Sequence, residues 1–130
     1  MHIERFQDGG AFVESFGYCR AIRVHDHIYV SGTTSADVGS DSEPKGVYEQ
    51  TREALDRTLA AVEALAPGGM IVRTRVYLVD ADSWPEAGRA HSETFGDAPP
   101  ANTTLEISRL IGPGLLVEVE ADAVAPAVIP

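Results

Sequence analysis

The sequence predicts an α+β fold, with one mixed β-sheet of about six strands and two helices packed on a single face. Three observations lead there. Residues 47–65 repeat apolar or small side chains at helical period, and a second helical segment ends near Phe95. Residues 71–79 and 115–124 alternate apolar and polar side chains, as half-buried strands do. Turns rich in Gly and Pro separate these pieces, giving the order β-β-α-β-α-β-β. A chain of 130 residues is expected to be one domain, residues 1–130, burying roughly two-thirds of its unfolded surface.

Each element has its own reason. Ile3–Phe6 is a short strand candidate at the N-terminus. Residues 21–24 and 28–30 are β-rich and flank a His25-Asp26-His27 turn, which makes a hairpin. Residues 35–46 are polar and hold Gly39, Pro44 and Gly46, so a surface loop is expected. In the first helix Val47, Thr51, Ala54, Leu55, Thr58, Val62 and Leu65 form one stripe. Pro67-Gly68-Gly69 ends it, because proline cannot continue the ladder and glycine accepts the left-handed cap. The second helix starts around Asp80, with Asp82 or Ser83 as N-cap and Pro85 in its first turn. Residues 96–100 are a rigid turn before strands near 103–110 and 115–124, joined through Gly112-Pro113-Gly114.

Alternation also sorts the faces. Val72, Val76 and Leu78 are expected to meet the helices, together with Leu115, Val117, Val119 and Ala121. Leu105 and Ile107 are expected to do the same. Arg73, Arg75 and Tyr77 then lie opposite, with Leu116, Glu118, Glu120 and Asp122. Thr104, Glu106 and Ser108 also point that way. That face is either solvated or an interface with its charges paired.

Composition narrows the partners. Acidic residues outnumber basic ones 20 to 10, a formal net charge of −10, with no basic cluster to follow a phosphate backbone. Nucleic acid is therefore not an expected partner. No apolar run approaches the ~20 residues of a membrane span, and the N-terminus lacks the features of a signal peptide. The single Cys19 forms no internal disulfide and fits a reducing cytoplasm.

The most informative stretch is residues 99–123, PPANTTLEISRLIGPGLLVEVEADA, which reads as two strands placing Asn102 near Glu118 and Glu120. With Gly17-Tyr18, Val30-Ser31-Gly32, the helix QTREALDRTLAAVEAL, the strand IVRTRVYLVD and the closing VEVEADAV, the chain resembles the reactive intermediate deaminase (YjgF-like) family. The resemblance covers roughly residues 17–124. It implies a trimer whose sheets form a central barrel-like core, with a small-molecule cleft at each subunit interface. It implies hydrolysis of reactive enamines or imines to a keto acid and ammonia, with no metal or organic cofactor. One departure stands out, since deaminating members carry an arginine where this chain has Asn102.

Carried over residue by residue, Glu118 matches the acidic residue that orients water and passes protons. A carboxylate suits that task, because partial burial raises its pKa toward neutrality. Pairing with Arg75 across the sheet is the competing role, and Glu120 on the same face reads as structural. Tyr18, Ser31 and Gly32 match pocket positions, Asn102 stands at the carboxylate-binding arginine's position, and Thr103, a further substrate-binding candidate, adds with Thr104 hydroxyls but no charge. An amide offers neutral hydrogen bonds where a guanidinium offers a charged fork, so the grip on a 2-imino acid should weaken. Arg20, Arg75 and Arg89 are the candidates to replace it. Three functions stay open: a divergent deaminase acting on a small enamine, imine or carbonyl compound, a non-catalytic trimeric binder, or a biosynthetic enzyme with non-hydrolytic chemistry. Cys19 reads as packing, His91 as an exposed helical histidine, Trp84 as a packing anchor, and His25 and His27 as turn residues.

Overall fold

Six strands hydrogen-bond in the order β1-β2-β3-β6-β4-β5, and the two long helices cover one face of the sheet they form. The computed structural model describes residues 1–9, 13–36 and 45–127. The strands are β1 (Ile3–Phe6), β2 (Ala21–Val24), β3 (His27–Thr33), β4 (Met70–Leu78), β5 (Ala101–Glu106) and β6 (Val117–Val124). The helices are α1 (Val13–Phe16), α2 (Val47–Leu65) and α3 (Trp84–Phe95). All pairings are antiparallel except β4 with β5, which the α3 crossover makes parallel.

Helix α2 has the bounds its periodicity predicts. Its buried stripe holds Thr51, Ala54, Leu55, Thr58, Val62 and Leu65, joined by Gln50 and Ala61. Gly68 follows in a left-handed conformation, φ 80°, and its N–H donates to Glu63 Oε2 at 3.0 Å. The core lies between this stripe and the sheet, where Ile28, Leu55, Leu78, Val117 and Val119 have at most 1% of their surface exposed. Each such aliphatic side chain contributes about 1.5–3 kcal/mol by leaving water.

Five expectations need correction. Strand β3 begins at His27, so the hairpin turn is His25-Asp26 alone, with His25 at φ 54°. The register of β4 against β6 slips between Ile71 and Arg73. Ile71 therefore enters the core, while Val72 is 40% exposed. Strand β5 is not beside β6, because β4 runs between them. Its parity is also reversed. Asn102 and Thr104 register with Thr74 and Val76 on the helix face, and Thr103 and Leu105 register with Arg75 and Tyr77 on the open face. Every residue of this edge strand is exposed, so burial could not impose a phase on its Thr-Thr-Leu-Glu pattern. Finally, the second helix does not run from Asp80: a 3₁₀ turn, Ala81–Ser83, capped by Asp80, whose side chain accepts from the Asp82 N–H at 2.9 Å, comes first, while Ser83 stands at the N-cap of α3 and Pro85 in its first turn, as expected.

The short α1 carries no periodic signal and was not anticipated. Of the expected loop at residues 35–46, residues 37–44 lie outside the described residues.

Candidate functional site

Strand β6 builds the site's charged face. Val117, Val119, Ala121 and Ala123 fill the core, so Glu118, Glu120 and Asp122 must point to the open face. Glu118 sits opposite Tyr77, and Glu120 opposite Arg75. The Arg75 Nε is 3.8 Å from Glu120 Oε1, and its Nη2 donates to Asp122 Oδ2 at 3.4 Å. The Tyr77 hydroxyl donates to Glu120, and that bond, with burial and the nearby charge, pushes the phenol pKa up to about 12.

Glu118 is different. It is half-buried and makes no hydrogen bond or ion pair among the described residues. Burial pushes its carboxyl above the usual range, with Arg20 opposing the shift and Glu120 adding to it. It occupies a cleft of about 760 Å³, lined also by Tyr18, Arg20, Gly32, Arg57, Tyr77 and Arg109. Gly32 gives the carboxyl its room. A Cβ built there would stand 2.9 Å from Glu118 Cδ and 3.1 Å from Oε1.

Arg20 forms the cleft's fixed cation. It is 4% exposed. Its Nη1 donates to the Gly32 carbonyl at 2.7 Å and to Thr33 Oγ1 at 3.1 Å. Nε reaches Asp8 at 3.3 Å, and Nη2 reaches the Tyr18 hydroxyl at 3.4 Å. Asp8 also accepts from Arg57 Nη2 at 2.9 Å. Burial alone would raise the Asp8 pKa, but the hydrogen bonds and charges of Arg57 and Arg20 outweigh it and hold the carboxyl below the ordinary range. This network fixes the guanidinium behind the Tyr18–Gly32 wall.

The anticipated residues separate into two places. Tyr18, Gly32 and Glu118 share the cleft. Ser31 lies beside it, but its hydroxyl donates to the Cys19 carbonyl at 2.7 Å, tying β3 to the segment before β2. Asn102 is elsewhere, in a second cavity of about 460 Å³ between α3 and the β4–β5 edge. There Thr104 donates to Asn102 Oδ1 at 2.8 Å, and Asn102 donates to Thr74 Oγ1 at 3.0 Å. Thr74 Oγ1 in turn lies 2.8 Å from His91 Nε2. His91 is thus no exposed helical histidine. Its ring packs against Phe95 with centroids 4.7 Å apart, and burial lowers its pKa. Trp84 on the same cavity is 65% exposed, so it is not a packing anchor. Thr103, on the open face, accepts from Arg73 Nη2 at 2.7 Å.

Sequence reasoning overlooked Arg57, Arg109 and Gln50. Gln50 is 1% exposed and holds the loop between β5 and β6. Its amide donates to the Gly114 carbonyl at 3.0 Å and accepts from Leu116 N–H at 2.9 Å. A glutamine within an otherwise apolar stripe was the available signal for that clamp.

Comparison with known proteins places this geometry among relatives. A family model described as Endoribonuclease L-PSP matches residues 11–125. An uncharacterized protein of Streptomyces coelicolor is 36% identical over 97% of this chain and 95% of its own length. A RutC family protein of Pyrococcus abyssi is 34% identical over 82% of this chain and 84% of its own. The crystal structure of a Mycobacterium tuberculosis protein, described as a member of the highly conserved YjgF/YER057c/UK114 family, superposes with a TM-score of 0.84 at 36% identity. That likeness covers 95% of this chain and 100% of the other.

Proposed function

The chain belongs to the YjgF-like family, described by its matching model as Endoribonuclease L-PSP, and from that membership we propose that it hydrolyses a small imine or enamine. The supporting observation is Glu118, a carboxyl with a raised pKa and no hydrogen bond or ion pair among the described residues, set against Gly32 in a cleft that also holds the Arg20 charge. A carboxyl whose pKa burial has raised can both take and return a proton more readily than an ordinary one.

In this reading the Glu118 carboxylate removes a proton from water as the new O–C bond forms at the C=N carbon. The π pair moves to nitrogen, which takes the proton from Glu118, leaving a neutral carbinolamine and the carboxylate restored. The carbinolamine then collapses: Glu118 removes the hydroxyl proton and delivers it to nitrogen as the C–N bond breaks, the carbonyl forms and ammonia leaves. The balance is imine plus water to carbonyl plus ammonia, and no oxidant is needed. Tyr18 would orient the substrate, and Arg20 would keep Glu118 ionised often enough to act.

We further propose a trimer with the cleft between subunits. Asn102 and Glu118 lie on opposite faces of one sheet with β4 between them, so a site using both would draw them from two copies. A small molecule is preferred over RNA despite the family's description. RNA cleavage would need cations along a phosphate path, and the net charge is −10.

The alternative of a metabolite-binding trimer without turnover is favoured by Asn102, which stands where deaminating members carry arginine. The deciding assay is ammonia release from an imine generated in situ, for wild type and Glu118→Gln. Turnover lost in Glu118→Gln supports the enzyme. Wild type without turnover on any imine leaves the binder.

A further inference from the structure

Arg20 and Glu118 touch the same residue, Gly32, yet form no ion pair among the described residues. The guanidinium holds the Gly32 carbonyl at 2.7 Å, while the carboxyl packs where a Gly32 Cβ would stand. Opposite charges so placed tend to close into a bidentate pair, the strongest form of this contact. A paired Glu118 would stay ionised and lose the raised proton affinity that burial gives it.

What prevents closure can be read from the partners of Arg20. Three are neutral: the Gly32 carbonyl, Thr33 Oγ1 at 3.1 Å and the Tyr18 hydroxyl at 3.4 Å. The fourth is the Asp8 carboxylate, 3.3 Å from Nε. An ionised acceptor binds a guanidinium roughly twice as strongly as a neutral one, so Asp8 is the group that competes with Glu118. Asp8 is itself anchored, because its Oδ2 accepts from Arg57 Nη2 at 2.9 Å. Arg57 Nη1 in turn donates to the Thr34 carbonyl at 2.7 Å. Among the described residues lining the cleft, Glu118 is the only carboxylate, so Arg20 would turn there if Asp8 were lost.

We propose that Asp8, anchored by Arg57, is a positioning residue that holds the Arg20 guanidinium on the Gly32 carbonyl and off the Glu118 carboxyl, which is thereby kept able to exchange protons. This rests on the reading that Glu118 is the acid–base group. The charged and titratable groups facing Glu118 are Tyr18 and Arg20 ahead of β2, Arg57 of α2, Tyr77 of β4, Arg109 before β6, and Glu120 of β6. Asp8, held below the ordinary carboxylate range, stays ionised where Glu118 titrates above it.

The test is a carbon-detected NMR titration of the Glu118 carboxyl, assigned by the signal lost in Glu118→Gln. It compares wild type, Asp8→Ala and Asp8→Glu, with a thermal melt of each. Folding should survive Asp8→Ala, because Gln7 clamps the same segment, donating to the Tyr18 carbonyl at 3.1 Å and accepting from the Arg20 N–H at 3.2 Å. Asp8→Ala should move the Glu118 midpoint to lower pH, and Asp8→Glu, which keeps the charge, should return it toward wild type. Turnover of an imine generated in situ should fall on the order of tenfold in Asp8→Ala, within the hundredfold or more that a proton-transfer group supplies. A lowered melting temperature with an unmoved midpoint would make Asp8 merely structural and overturn the assignment. Asp8→Ala added to Arg20→Gln separates closure from bare charge, since the midpoint should then stay where Arg20→Gln alone puts it. An equal shift in both backgrounds would show Asp8 acting through space, and would also overturn it. The two readings fail separately, because the titration needs no substrate. A shifted midpoint in a protein that releases ammonia from no imine would sink hydrolysis and keep the Asp8 restraint. Hydrolysis at wild-type kcat in Asp8→Ala, with the midpoint unmoved, would sink the restraint and keep hydrolysis.

Discussion

The Glu118 carboxyl rests against the bare Cα of Gly32, so close that a single added methyl would stand 2.9 Å from Cδ. That contact couples a backbone position on β3 to the group that would carry the chemistry on β6. Gly32→Ala should displace the far end of a flexible side chain rather than backbone, leaving the melting temperature nearly unchanged. Turnover should fall on the order of tenfold to a hundredfold, because displacements near 1 Å cost that much in a positioned site. Steady-state kinetics beside a thermal melt checks this, and unchanged kcat would detach Gly32 from the mechanism.

The raised pKa of Glu118 makes a signed prediction. In the folded state its carboxyl holds a proton above the ordinary 4.5, so between 4.5 and the folded value the native state binds more protons than the unfolded chain. Stability therefore declines as pH rises through that window and is flat above it. Glu118→Gln should remove this decline, making the variant more stable than wild type at pH 7 while it hydrolyses nothing. Activity in wild type should climb over the same window as the base form appears. Melts of both proteins from pH 4 to pH 8 would expose the opposite sign.

His91 gives the converse trend. Its folded pKa lies below 6.5, so the unfolded chain binds the extra proton, and stability is lost as pH falls from 6.5 through the folded value. His91→Gln should flatten that acid-side loss. Melts of His91→Gln and wild type between pH 5 and pH 8 report it, and parallel curves would show that burial of the ring has no titration consequence.

The proposed trimer has a stability signature. In a lone subunit Arg75 and Glu120 are about one-third exposed and 3.8 Å apart, worth ~0–1 kcal/mol after solvent screening. Buried between subunits, loss of one partner would cost about 3–5 kcal/mol by stranding the other. Light scattering of wild type should give three times 13.9 kDa, and Arg75→Ala should lower the melting temperature well beyond a surface substitution. A stable 13.9 kDa species, or an unaltered melt, would return this face to solvent.

Much of this fold was legible before any coordinate. Helix α2 and the inward Val117, Val119 and Ala121 follow from periodicity enforced by one buried face. Legibility fails where that force is absent. On edge strand β5 nothing penalises either phase, so Leu105 and Thr104 were exchanged. At Val72 a bulge shifts parity without changing the residue types. The site was half legible for a related reason. Tyr18, Gly32 and Glu118 could be matched by motif, whereas the adjacency of Arg109 and Arg57 depends on loop paths that no periodicity encodes. Within one subunit the placing of Asn102 beside Glu118 fails, because neighbours in sequence order need not be neighbours in strand order.

That misplacement bears on how the chain can evolve. With β4 interposed and the two side chains on opposite faces, changes at positions 102 and 118 share no partner inside a subunit. Their effects on folding should be additive to within ~0.5 kcal/mol. Epistasis between them in activity, without epistasis in stability, would have to pass between protein copies. One face of the sheet could then drift toward new ligands while the other kept Glu118 against Gly32.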